Sequence, residues 1–183
     1  WDQACRLQGD MFEQAAAMGG LDVQLCFYRG YFEFHRTPWL GDAGSLHNAM
    51  AKVRCAGGMT QIERMLKYAL REHRLKPINA MVLVGDVIEE DIDLLSHYAG
   101  QMGVIGVPVF IFQEGVHESS RPGFEQIARL SKGAYCPFDI HSAGQLRDLL
   151  RAVAAYASGG IRALLDFEEN NRSASARLSH QIS

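Results

Sequence analysis

The residues of this chain best suited to chemistry fall in two short segments. Cys55-Ala-Gly-Gly-Met-Thr60-Gln-Ile-Glu63 is a glycine-rich turn that delivers a threonine to the start of an amphipathic helix, and Val84-Gly85-Asp86 ends an apolar run in a carboxylate. A threonine hydroxyl and an aspartate oxygen are hard ligands of the kind Mg2+ or Mn2+ accepts, directly or through water. Thr60 and Asp86 are therefore the candidate metal ligands, and the two segments could share one ion. The bland alternative needs no ion: Thr60-x-x-Glu63 and Asp86-x-x-Glu89 each have the form of a capping box, the commoner use of such spacing.

Other chemistries find less support. Gly57-Gly58-Met59-Thr60 could cradle a phosphate on a helix N-terminus, but the lysine of a nucleotide-binding P-loop is missing and no G-x-G-x-x-G opens a helix. Cys136 has Asp139 and His141 nearby, yet a cysteine in a short buried strand is far more often a small core residue than an activated thiol. The seven histidines include no i, i+4 pair around a glutamate, and the four cysteines show no C-x-x-C, so zinc-site patterns are absent. Asp86, Glu89, Glu90, Asp91 and Asp93 form an acidic run that reads mainly as a solvated helix start, where the helix dipole favours negative charge. The polar stretch Gln113 to Pro122 reads as a long loop able to meet a partner or simply to move in solvent. Gly58, Glu89, Glu114 and His117 are the weaker candidates for partner contact.

These segments must be positioned by regular elements, and the spacing of apolar residues predicts them. Ala4, Leu7, Met11, Ala15 and Met18 mark a helix over the first 18 residues, stopped by Gly19-Gly20. Leu21 to Tyr28 alternates as a strand and Tyr31 to His35 as its hairpin partner, followed by a short helix from Ser45 to Val53. Ile62, Met65, Leu66, Ala69 and Leu70 give a clean stripe for a helix over 61–73. Strand runs at Ile78–Val84, Val107–Phe112 and Ala134–Pro137 then alternate with helices at 90–102, 124–130 and 142–158, the last starting at a Ser142-x-x-Gln145 box and stopping at Gly159-Gly160. Val107–Phe112, β-branched and aromatic, suits a strand buried on both faces. The expected fold is α/β: a doubly wound, mostly parallel sheet with helices on both faces and one antiparallel edge hairpin. In such sheets ligands sit where strands run into helices.

The order of these parts resembles the von Willebrand factor type A family over essentially the whole span from Trp1 to about Ile161. An amphipathic helix, a hairpin, a glycine pair before a threonine at a helix start, and an apolar strand ending in Asp recur there in the same sequence. The resemblance implies a metal-ion-dependent adhesion site, built in the family from a D-x-S-x-S segment, a threonine and an aspartate. Thr60 is similar to that threonine, with Gly-Gly-Met-Thr in place of Gly-Gly-Thr, and Asp86 to that aspartate, with Gly85 before it where the family usually has Thr-Asp-Gly. No D-x-S-x-S occurs in the chain. The family's first strand and that segment are expected upstream of Trp1, which is itself expected to be a cut or processed end. Residues 1–166 are expected to form one such domain and 167–183 a polar tail.

Composition sets the partner classes. The chain has 183 residues, 48% of them hydrophobic and 21% charged, with a net charge of -3, so a real core is expected and a basic nucleic-acid face is not. The longest apolar stretch is about half of the ~20 residues a bilayer crossing needs, so no membrane partner is expected. Reduced thiols fit a cytoplasmic location, and the family resemblance implies the bacterial intracellular type. The role that the family resemblance implies is a non-enzymatic interaction module that binds a protein partner's Asp or Glu carboxylate through Mg2+ or Mn2+. The alternatives are a metal-dependent α/β hydrolase or phosphoryl-transfer enzyme using the same crevice, or a structural domain with no ion site.

Overall fold

A computed structural model of the chain describes residues 21–53, 58–115, 117–139, 143–171 and 178–182. The helix expected before Gly19 and the Ser142 cap lie outside these residues. The chain divides into two compact units, one of residues 1–59 and 139–176 and one of residues 60–138 and 177–183.

In the first unit, strands β1 (Cys26–Arg29) and β2 (Glu33–Arg36) pair antiparallel, with Phe27 opposite His35 and their rings stacked at 4.9 Å. Both strands are shorter than the alternation predicts. Gly30 adopts φ 57, a left-handed conformation that glycine takes without steric cost, and the turn it makes carries Tyr31 and Phe32 out of the ladder into solvent. Helix α1 (Ala43–Met50) begins two residues earlier than the Ser45 start expected, because Asp42 caps it by accepting the Ser45 N–H at 2.7 Å. In helix α5 (Ala143–Asn170) the expected stop at Gly159-Gly160 appears as a break, with non-helical backbone at both glycines and Gly160 at φ 67, and a second helical stretch follows that buries Leu164 and Phe167.

The second unit carries the alternating part of the chain. Helix α2 (Ile62–His73), strand β3 (Met81–Gly85), helix α3 (Ile92–Val104), strand β4 (Val109–Glu114), helix α4 (Arg121–Leu130) and strand β5 (Tyr135–Phe138) follow in order. The three strands form a parallel sheet in the order β3-β4-β5, with Leu83 beside Ile111 and Phe112 beside Cys136. Among the described residues the hairpin is a sheet of its own. The protein is thus mixed α/β.

Strand β4 is central, and Val109 through Phe112 are all fully buried, as a strand covered on both faces requires. Val109 and Ile111 join Leu83, Ile62, Leu66, Leu95, Met102, Phe124 and Ile127 in one apolar cluster shared by α2, α3 and α4. Gly133 permits the closest approach in this unit, since a Cβ there would lie 2.0 Å from the Val109 carbonyl oxygen. The last described residues close one sheet edge. The Gln181 side-chain amide donates to the Tyr135 carbonyl and accepts the Tyr135 N–H, imitating a neighbouring strand.

Candidate functional site

The β3 strand hands its chain to the segment Asp86–Asp91 where α3 begins, and the Thr60 turn precedes α2. The structure brings these two segments together. Thr60 donates its N–H to Glu89 Oε2 at 2.8 Å, and Glu89 donates its N–H to Thr60 Oγ1 at 3.2 Å. Next to this pair, the Glu90 carboxylate accepts from Ile62 N–H at 3.0 Å and from Glu63 N–H at 2.8 Å. Two of the unsatisfied donors at the α2 N-terminus are therefore held by a carboxylate from another part of the chain, where the positive end of the helix also favours it.

Neither expected capping box forms. The α2 cap position is Gln61, whose side chain makes no cap bond. The α3 cap is Asp91, which accepts from the Asp93 and Leu94 N–H groups. A local box fails for α2 because Glu90 already takes the N–H groups of Ile62 and Glu63. The acidic run expected as a solvated helix start divides into three tasks: Glu89 ties the loops, Glu90 caps α2 and Asp91 caps α3.

Asp86 itself is half-buried. Its main-chain oxygen accepts from Gln113 Nε2 at 3.1 Å, while its carboxylate takes no hydrogen bond among the described residues. Thr60 is held against Glu89 rather than shown against Asp86. No cluster of three or more His, Cys, Asp or Glu side chains able to hold a metal occurs among the described residues.

The weaker candidates separate. Gly58 belongs to the first unit, where a Cβ would lie 1.9 Å from the Gly30 carbonyl oxygen, so backbone approach accounts for this glycine. Glu114 is the last residue of β4, and the exposed His117 presents its carbonyl oxygen to Gln113 Nε2. The loop expected over 113–122 is reduced to residues 115–120, because β4 continues through Glu114 and α4 begins at Arg121 with Pro122 in its first turn.

Gln113 is the residue that sequence reasoning missed. Read as a loop residue, it is a buried polar side chain, 2% exposed. Its amide nitrogen donates to the Asp86 and His117 carbonyls, and its Oε1 accepts the Tyr135 hydroxyl at 2.6 Å. One side chain so ties together the segment after β3, the loop after β4 and strand β5. Tyr135 is less acidic than an ordinary tyrosine, chiefly because burial disfavours its charged form. Burial likewise pushes the Cys136 thiol up, which suits an inert strand cysteine rather than a nucleophile.

No protein-family model matches the chain, and no curated protein matches it. No helix among the described residues is long and apolar enough to cross a membrane.

Proposed function

We propose that this chain is an interaction module similar to the von Willebrand factor type A family, recognising a partner carboxylate through a divalent ion at the C-terminal end of β3. The reciprocal Thr60–Glu89 pair carries this reading, because it draws the threonine turn and the segment opened by Asp86 to one place. The parallel order β3-β4-β5, with a helix between successive strands, supports the α/β part of that reading.

The donors fit a hard ion in kind. Thr60 offers a hydroxyl, Asp86 an uncommitted carboxylate and Glu89 a second carboxylate, all oxygen ligands of the class Mg2+ takes. They do not fill an octahedral shell, so water and further residues would supply the rest. An ion held in this way adds a charged position that a partner's Asp or Glu can complete.

Calorimetric titration of Mg2+ and Mn2+ into the chain and into Asp86→Ala tests the reading. The expected result is ion binding in the chain that is lost in the variant, with no change in thermal midpoint, since the Asp86 carboxylate takes no hydrogen bond among the described residues. Equal heats in both proteins would overturn it.

A second reading rests on Glu90. Its carboxylate and the Thr60–Glu89 pair already satisfy N–H groups at the start of α2 without any ion. On this reading the module associates with partners independently of metal, and chelation leaves association unchanged.

A further inference from the structure

Helices α2 and α3 both begin at the candidate site and pack side by side. Their far ends lie about 18 Å away, from the rise of the twelve-residue α2. Between those far ends lies a cleft of about 420 Å³. Leu70, Val104 and Ile105 give it an apolar lining, and Val104 is 87% exposed and Ile105 39%. Leu75, just beyond α2, is 79% exposed beside it in sequence. Exposed apolar side chains gathered at one end of a helix pair are unusual unless something covers them.

His73, Arg74, His97 and Gln101 form its polar rim, and among the described residues no carboxylate lines it. Gln101 Nε2 and His97 Nε2 lie 2.8 Å apart, so these two side chains are paired with each other and Arg74 and His73 are left to meet a ligand. The His73 Nδ1 accepts the Ile78 N–H at 3.1 Å, so its remaining ring proton lies on Nε2 and that nitrogen is a donor. Among the described residues no carboxylate pairs with Arg74. In a chain of net charge -3, a cleft that offers the Arg74 guanidinium and the His73 Nε2–H over an apolar floor is locally complementary to an acidic, partly apolar ligand.

We infer that this cleft is a second docking surface, for a partner-protein segment in which an apolar side chain is flanked by Asp or Glu. The apolar side chain rests on Leu70, Val104 and Ile105, and the flanking carboxylate accepts from Arg74 and from His73. This surface is separate from the ion reading and needs no metal.

The test pans a displayed random-peptide library on the full chain and measures the enriched peptide, synthesised alone, by fluorescence anisotropy. Enriched sequences are expected to place Asp or Glu beside Leu, Ile, Met or Phe. Arg74→Glu and Val104→Asp, both at exposed positions and checked for folding by circular dichroism, are expected to weaken the peptide by roughly tenfold or more each. Higher salt weakens it further, whereas chelator and Asp86→Ala leave it unchanged. The inference is overturned by library panning that enriches nothing, by enriched peptides that are basic, or by peptides that bind both variants as tightly as the parent. Self-association of the chain that Val104→Asp abolishes also overturns it, because the occupant is then a second copy.

Discussion

Thr60 and Glu89, twenty-nine residues apart, exchange two hydrogen bonds, each giving its backbone N–H to the other's side-chain oxygen. Two loops are thereby locked in one register at the mouth of β3. Because the pair is exposed, its coupling should be modest. Thr60→Ala and Glu89→Ala each remove the side-chain acceptor of one of these N–H groups, and each is expected to cost about 0.5–1.5 kcal/mol by urea denaturation. No loss in either variant would show that the two loops are not held together by these bonds in solution.

Glu90 is worth more. It accepts two N–H bonds at the start of α2 with a charged group. Glu90→Ala is expected to destabilise the protein by about 1–3 kcal/mol. Glu63→Ala should do less, since among the described residues the Glu63 side chain makes no capping bond and pairs with Lys67 one turn later on the helix surface. A larger loss in Glu63→Ala, measured by the same unfolding curve, would mean that α2 is capped locally after all.

Tyr135→Phe removes the donor from the buried Gln113 oxygen while preserving the ring. The expected cost is about 1–2 kcal/mol, seen as a lower thermal midpoint. An unchanged midpoint would contradict the burial of Gln113 at the centre of this network.

Glycines give a paired test of backbone packing. Gly133→Ala would force a Cβ against the Val109 carbonyl oxygen at 2.0 Å, and the expected product lacks cooperative unfolding. Gly100→Ala, in the α3 interior with nothing within 4 Å of the new Cβ, should stabilise by about 0.5–1 kcal/mol. Circular dichroism during heating separates the two, and equal behaviour would contradict the packing at Gly133.

Acid sensitivity should include Asp42. Its carboxyl is held below the ordinary aspartate range, first by the Ser45 backbone N–H and then by the Ser45 side chain. A depressed value means that its contribution is present above the pH where an unfolded aspartate titrates and is lost as the pH falls through the folded value. Asp42→Asn keeps a capping oxygen but does not ionise. Urea midpoints across an acid series should therefore fall less steeply in the variant, and parallel curves would count against a titrating cap.

The sequence by itself determined the elements whose signals are local. The stripe Ile62, Met65, Leu66, Ala69 and Leu70 foretold α2 to within a residue, and the β-branched and aromatic run around Phe110 foretold a strand buried on both faces. Helical and strand periods are properties of neighbouring residues, and they survive without knowledge of what lies opposite. Only the tertiary structure decided who caps whom. Glu90 lies 27 and 28 residues from the N–H groups it serves, and Gln181 lies 46 from the strand edge it imitates. Thr60 and Asp86 looked like local caps because carboxylates and hydroxyls satisfy nearby N–H groups by default. The fold instead placed Glu89, Glu90 and Gln113 at these positions, since a buried or helix-terminal donor is satisfied by whichever acceptor the chain path delivers to it, however distant in sequence.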